Sequence, residues 1–179
     1  HEDITQRKRA EKALRESEAR YKALFDSSPS AILVLQAGLY VLANPAGARM
    51  LGFSDPQDVV GLHPLELMAP ESRELVIQRM QQVRGGKSNP PVEMKILRSD
   101  GTVVVTESVS VPIELGGERA ILVIGRDVTK RKRAEAALWE SESRLRQAQR
   151  LAQLGYWDWF MDTGELRWSK ETYCIFGQD

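Results

Sequence analysis

The residue types that most often carry chemistry are few in this chain and stand far apart. It has two histidines, His1 and His63, and one cysteine, Cys174. Residues 85–88 read G-G-K-S and end as a phosphate-binding loop does, but they lack the preceding strand and the first glycine of such a loop. We expect His63 to be a surface or packing residue and Cys174 to be a packed thiol among apolar neighbours. These residues predict no catalytic site and no metal site.

Composition indicates a globular protein with no preference for a charged partner. Of 179 residues, 42% are hydrophobic and 28% are charged, which is enough apolar material for a core. Twenty-five basic residues balance twenty-five acidic ones, so no overall field favours nucleic acid or an anionic membrane. No apolar run approaches the roughly 20 residues of a membrane span. A single cysteine suits a reducing compartment, so we expect a cytoplasmic location. This expectation is compatible with a membrane anchor elsewhere in a longer parent protein.

One segment of the sequence occurs twice. Residues 3–20, DITQRKRAEKALRESEAR, match residues 127–144, DVTKRKRAEAALWESESR, at 13 of 18 positions. Both copies place small or apolar residues at alternating steps of three and four, which is the pattern of a heptad seam. The pattern predicts linker helices over 6–26 and 130–152, paired across a parallel homodimer as a coiled coil. The alternative is a solvated amphipathic helix that lies on its own domain.

The start of each linker helix carries an unusual charge. Thr5 and Thr129 are predicted N-caps, yet basic residues follow them, and residues 130–133 are K-R-K-R. Positive charge at a helix N-terminus opposes the macrodipole, so the joint before residue 130 is expected to be marginal and easy to bias. A tetrabasic run can also bind nucleic acid, but acidic residues begin at Glu135, and we predict no nucleic-acid partner.

Turn residues divide the chain between the two linker helices. Asn44 and Pro45 begin a short helix that Gly52 ends, and a longer helix is predicted over 70–84. Turn dipeptides such as Asp100-Gly101 separate apolar strands. The strands are predicted over 31–36, 39–43, 92–98, 103–113 and 119–127. This order predicts an α+β fold, a five-stranded antiparallel sheet with short helices on one face.

The repeat also sets the domain boundaries. The complete copy covers residues 22–129, and residues 1–5 correspond to the end of a preceding copy. Residues 153–179 predict a strand, a turn, a second strand and a short helix capped by Ser169. They are interpreted as the truncated start of a second copy.

Several short motifs together resemble the PAS family. They are Asn44-Pro45-Ala46, Leu51-Gly52-Phe53, Asp100-Gly101 and the G-R-D-V-T of residues 125–129. The resemblance implies the PAS fold and a sensory role. Tandem PAS arrays are characteristic of bacterial sensor histidine kinases, that is two-component systems, and of diguanylate cyclases or phosphodiesterases. The resemblance therefore implies a role in signal transduction, with a downstream kinase or cyclase domain in the same chain.

The cofactors and enzyme motifs of related proteins are not supported. Haem-binding members place a histidine on the long central helix, and residues 70–84 contain none. Flavin-binding members use a reactive cysteine, and residues 1–173 contain none. Gly116-Gly117-Glu118 resembles part of the G-G-D-E-F motif of cyclases, but a hairpin explains both glycines. His1-Glu2 resembles the start of a kinase phosphoacceptor box, yet the repeat places it on an upstream strand. The identity of any cofactor stays unknown, and the fragment is predicted not to be an enzyme.

The remaining candidate site is the cleft between sheet and helices. In similar PAS domains the register of the strand over 103–113 points Ser108 and Ser110 towards the helices, and the valines between them would face a linker helix or a partner subunit. The predicted ligand cleft consists of Val34, Met80, Met94, Ile96, Ser108, Ser110, Ile121 and Val123. The alternative register buries the valines in a dry core without a cavity.

The function predicted from these observations is a non-catalytic sensory and dimerisation module. Asp127 and Thr129 are the predicted relay residues, which pass a shift of the strand over 119–127 to the linker helix over 130–152. A small ligand in the cleft would be the stimulus. The alternative is a ligand-free relay and dimerisation domain.

Overall fold

The computed structural model describes residues 2–152 and 154–177, with side chains from residue 6 onward. The chain divides into two compact units, one ending at Thr129 and the other beginning at Lys130. The helices are α1 (Glu2–Ser27), α2 (Pro45–Leu51), α3 (Arg73–Arg84), α4 (Thr129–Leu151) and α5 (Lys170–Ile175). The strands are β1 (Ala31–Gln36), β2 (Leu39–Ala43), β3 (Asn89–Leu97), β4 (Val103–Leu115), β5 (Glu118–Asp127), β6 (Trp157–Phe160) and β7 (Glu165–Trp168). Three 3-10 turns lie between α2 and α3, at Pro56–Val59, Pro64–Leu67 and Pro70–Ser72.

The first unit is built on one sheet with the strand order β2-β1-β5-β4-β3. Every neighbouring pair is antiparallel. The predicted α+β class and five-stranded antiparallel sheet are therefore confirmed. Strand β5 lies in the centre, between β1 and β4, so the strand that leads into α4 is hydrogen-bonded on both sides.

Helix α2 forms where its local signals predict it. The Asn44 side chain accepts a hydrogen bond from the N–H of Gly47 at 2.7 Å, and Pro45 is the first helical residue. Gly52 ends the helix with a φ of 90°, which is the left-handed region where only glycine is free of strain. A Cβ at this position would also lie 2.9 Å from the Cβ of Arg98.

Several element boundaries differ from the prediction, and the largest differences are at the starts of β3 and α3. Strand β3 begins at Asn89, before Pro90 and Pro91. An edge strand tolerates prolines because their missing N–H groups face away from the ladder. The helix predicted over 70–84 begins with the 3-10 turn Pro70–Ser72, and α3 follows from Arg73.

The N-terminal helix also begins earlier than predicted. The structure has α1 from Glu2, whereas the sequence assigned residues 1–5 to the end of a preceding copy. In the described part of the chain, residues 2–5 pair with no strand and form the first turn of the helix instead, where only their carbonyls take part in helical hydrogen bonds. His1 and the side chain of Thr5 lie outside the described residues, so the preceding copy and the Thr5 cap stay predictions.

The core lies between the sheet and the short helices. Alternation along β4 places Thr106, Ser108 and Ser110 in the interior, at 1%, 6% and 6% exposure. The valines at the odd positions lie on the outer face, and Val103 is 46% exposed. The inner face of β4 is therefore hydroxyl-rich, and its outer face is apolar.

The linker helices keep their apolar seams exposed in the single chain. Leu14, Tyr21 and Leu24 of α1 are each more than half exposed, as are Leu138 and Leu145 of α4. No residue of α4 is buried.

The second unit contains a hairpin and a short helix, in the order that the sequence predicts. Strands β6 and β7 pair antiparallel, and the Ser169 side chain accepts from the N–H of Thr172 at the start of α5. The ring of Trp168 lies 5.5 Å from that of Tyr173 and 5.3 Å from that of Phe176. That this unit begins a second copy of the domain stays a prediction.

Candidate functional site

A cavity of about 60 Å³ lies between helix α3 and the sheet. Every strand of the sheet contributes at least one side chain to it, and its walls are mainly apolar. The lining residues are Leu35, Tyr40, Pro64, Met68, Val76, Arg79, Met80, Met94, Ser108, Ser110, Ile121 and Val123.

The structure brings six of the eight predicted cleft residues to this cavity. Met80 comes from α3 and Met94 from β3, and the two serines and the pair Ile121 and Val123 come from the central strands β4 and β5. Ser108 and Ser110 lie on the face of the sheet that carries the helices. Whether these residues bind a ligand stays a prediction.

Val34 and Ile96 are buried but do not line the cavity. Leu33 and Leu35 of β1 belong to the core under the helices, so alternation turns Val34 to the other face of the sheet. Ile96 is two residues beyond Met94 on β3, where it forms an isolated β-bridge with Met68, and both residues are buried. The cleft assignment therefore needs Leu35 in place of Val34, and Met68 in place of Ile96.

Arg79 is the main cavity residue that the sequence analysis missed. It is 8% exposed, and its guanidinium donates to the carbonyls of Pro90 and Ser108, each at 3.0 Å. The Asn89 side chain donates to the carbonyl of Arg79 and to the hydroxyl of Ser110, each at 2.9 Å. Burial lowers the pKa of Arg79. The signal in the sequence was a lone arginine on the apolar side of the helix over 70–84.

Tyr40 was also missed, and it brings a phenol to the cavity. Its side chain is 4% exposed, and burial raises its pKa well above the ordinary value. Within the described chain its hydroxyl has no hydrogen-bond partner. Because no fully buried side-chain oxygen of the described residues lacks a partner, this hydroxyl is open to water or a ligand.

The joint between β5 and α4 is held by side chains of the predicted relay residues. The N–H of Thr129 donates to Oδ1 of Asp127 at 2.8 Å, and Oδ2 of the same carboxylate accepts from Arg98 at 3.1 Å. Arg98 also donates to the carbonyl of Met50, at the end of α2, at 3.0 Å. Arg98 therefore connects α2 to the joint, and it was not predicted.

Thr129 ties the joint to β4 rather than capping α4. Its hydroxyl accepts from the N–H of Val105 at 2.9 Å and lies 3.4 Å from the carbonyl of the same residue. The N–H of the buried Val128 donates to that carbonyl at 2.8 Å. The prediction of Thr129 as an N-cap is wrong, because β4 lies close enough to take the hydroxyl and leaves the capping to Asp127.

Comparison with known proteins identifies the fold. The family model described as "PAS fold" matches residues 19–128. This chain belongs to the PAS family. PAS domains are sensory and not themselves catalytic, so the matched domain of this chain is a sensory signalling module. The resemblance seen in the sequence motifs is confirmed.

Relatives of this PAS chain include sensor kinases and isolated PAS domains. It is 32% identical over 147 residues to "Sensor histidine kinase TmoS" of Ectopseudomonas mendocina, covering 80% of this chain and 15% of that protein. It is 30% identical over 141 residues to "Sporulation kinase A" of Bacillus subtilis (strain 168), covering 78% and 23%. The crystal structure of the PAS domain of an HTR-like protein from Haloarcula marismortui matches with a TM-score of 0.58 and 31% identity, covering 67% of this chain and 98% of that one. The chain thus spans less than a quarter of these two kinases.

Two kinds of feature are absent from the described residues of this PAS chain. No described helix is both long enough and apolar enough to cross a membrane. Across residues 2–152 and 154–177, no three His, Cys, Asp or Glu side chains are grouped so that they could hold a metal ion.

Proposed function

We propose that this PAS domain senses a small molecule in its cavity and passes the change through β5 to helix α4. One observation carries the proposal. Strand β5 contributes Ile121 and Val123 to the cavity wall and, four residues further, holds Asp127 at the joint with α4. A displacement of the cavity wall would therefore act directly on the residues that begin the helix.

Two sets of hydrogen bonds would pass this displacement to Asp127, one in the β4–β5 ladder and one around Arg98. Ser108 and Ser110 pair with Gly125 and Val123 across the β4–β5 ladder, so a change at either serine shifts β5. Arg98 holds Asp127 from the side of α2. A ligand that moves β4 or α2 would thus change the geometry around Asp127, and with it the direction of the first turn of α4.

The linker helices support a proposal about the output. We place the chain in the cytoplasm, in a parallel homodimer whose subunits pair through the exposed seams of α1 and α4. A histidine kinase domain downstream in the same chain would receive the signal, as the names of the relatives suggest, and a cyclic-dinucleotide enzyme is the alternative. Neither nucleic acid nor haem nor flavin has a part in the proposal. The cavity of about 60 Å³ is smaller than the roughly 150 Å³ that accommodates one benzene ring.

The small cavity also favours a second candidate function, a relay and dimerisation domain that works without a ligand. Native mass spectrometry of the freshly purified chain separates the two functions and reports the number of subunits. A bound small mass supports sensing, and its absence supports the ligand-free relay. A monomer at micromolar concentration would contradict the homodimer.

The relay itself is tested by filling the cavity. Val123→Leu adds volume to the cavity wall, and Val60→Leu makes the same change at an exposed loop position, 42% exposed, as the matched control. Hydrogen–deuterium exchange of the 179-residue chain should change over residues 125–133 in the first variant and not in the second. Unchanged exchange over these residues in a folded Val123→Leu protein would rule out the relay.

A further inference from the structure

Helix α3 brings a cation into the protein interior without an acidic partner. No carboxylate of the described residues lies within 4 Å of the Arg79 guanidinium, which donates instead to the backbone carbonyls of Pro90 and Ser108. The acidic residue next to Ser108 in β4 is Glu107, and its carboxylate pairs with Arg126 at 2.7 Å on the outer face. Buried charges in proteins are usually paired, because removing an unpaired charge from water is costly.

The other polar side chains at the cavity can also donate hydrogen bonds. The hydroxyl of Tyr40 has no partner in the described chain, and that of Ser108 meets only the thioether of Met94, at 3.9 Å. The hydroxyl of Ser110 accepts from Asn89 and keeps its own hydrogen. An arginine has five N–H donors and no acceptor, and Arg79 uses two of them on carbonyls. The described residues that line the cavity therefore offer one positive charge and several donors, and none of them carries a carboxylate or a side-chain amide.

We infer that the cavity takes a small monocarboxylate, with its carboxylate on Arg79 and its hydrocarbon chain against the apolar walls. This inference rests on the proposed function of the cavity as a ligand site. A carboxylate is the planar acceptor that matches the guanidinium fork, and it supplies the missing negative charge. Leu35, Val76 and Ile121 provide the apolar surface for the chain of the acid.

The volume limits the length of the acid. Roughly 150 Å³ accommodates the six carbons of benzene and a single water needs at least about 10–15 Å³, so 60 Å³ holds at most about four to six non-hydrogen atoms. This range corresponds to acetate, propionate and butyrate. Three methionines border the cavity, and their flexible side chains would accommodate the longest of these acids.

The test compares butyrate with two neutral molecules of similar shape, butyramide and n-butanol. Each is titrated into the ¹⁵N-labelled 179-residue chain, and the dissociation constant is taken from the shifts of cavity residues. The variants are Arg79→Met, which removes the charge, Arg79→Lys, which keeps the charge but loses the fork, and Arg84→Met. Arg84 lies on the same helix but is exposed and does not line the cavity, so it serves as the matched control.

We expect butyrate to bind the unmodified chain at least about tenfold more tightly than either neutral molecule, which is the scale of a charge-assisted bond. Arg79→Met should abolish this preference, Arg79→Lys should weaken it, and Arg84→Met should keep it. If Arg79→Met does not fold, the comparison of butyrate with butyramide on the unmodified chain decides the question. Equal or tighter binding of the neutral molecules would overturn the carboxylate assignment and leave the cavity as a ligand site. Binding of none of the three would overturn the carboxylate assignment and count against ligand sensing as well.

Discussion

Asn44 connects three separate parts of the PAS domain through one fully buried side chain, and its replacement by alanine tests how much that connection contributes. Its Oδ1 accepts from the N–H groups of Ile32 at 2.9 Å and Gly47 at 2.7 Å. Its Nδ2 donates to the carbonyls of Phe25 at 3.1 Å and Ser30 at 2.9 Å. The side chain is 0% exposed. Asn44→Ala would remove all four hydrogen bonds and leave their partners in place.

The expected loss follows from the four groups left behind. The N–H of Gly47 is buried and that of Ile32 partly so, and a buried donor without a partner costs about 1–3 kcal/mol. The two carbonyls are only partly buried, so water can replace much of what they lose. We expect Asn44→Ala to lower the free energy of unfolding by about 4 kcal/mol. This is a large part of the roughly 5–15 kcal/mol of a typical domain.

The measurement needs a signal from the first unit, which contains Asn44. All four tryptophans, at 139, 157, 159 and 168, lie beyond residue 129, so tryptophan fluorescence reports on the second unit. Urea unfolding should therefore be followed through hydrogen exchange of amides in the first unit, with the largest change at Ile32 and Gly47, because far-UV circular dichroism sums over both units. Gln57→Ala is the control, because Gln57 is exposed, and we expect it to change the unfolding free energy by less than about 0.5 kcal/mol. A loss below about 1 kcal/mol for Asn44→Ala would show that the four hydrogen bonds do not hold the parts together.

Two further predictions concern a titration and a turn. Burial raises the pKa of Tyr40 in the folded protein, so the unfolded chain loses the phenol proton at a lower pH than the folded chain does. The free energy of unfolding should therefore fall as the pH rises above about 10, by up to about 1.4 kcal/mol per pH unit. Tyr40→Phe should remove this pH dependence and lower the free energy of unfolding at neutral pH only slightly. Urea unfolding at pH 7 to 11 measures both quantities. The same pH dependence in Tyr40→Phe as in the unmodified chain would contradict the burial argument. Gly52→Ala should destabilise the domain by about 2 kcal/mol or more, because alanine is strained at φ 90° and its Cβ would meet Arg98. Thermal unfolding measures this loss. Gly61→Ala is the control, because Gly61 also has a positive φ but has open space where a Cβ would lie. An equal loss in both variants would exclude a contribution from the contact with Arg98.

The sequence by itself determined the elements and the fold class. Asn44, Pro45 and Gly52 act within a single turn of helix, and turn dipeptides such as Asp100-Gly101 act within a hairpin, so their effects are readable from neighbouring residues. The alternation of valines with Thr106 and the two serines separated the two faces of β4, and only the structure decided which of them lies under the helices. A PAS fold followed from these local signals together.

Only the tertiary structure decided which distant residues meet. Arg98 reaches Met50 and Asp127, 48 and 29 positions away, and Thr129 gives its hydroxyl to Val105, 24 positions away. These contacts depend on the strand order β2-β1-β5-β4-β3, which no local pattern specifies. The burial of Arg79 has the same origin. Its helix carries an arginine on an apolar side, but only the packing of that helix against β3 and β4 supplies the carbonyls that let a charge remain inside.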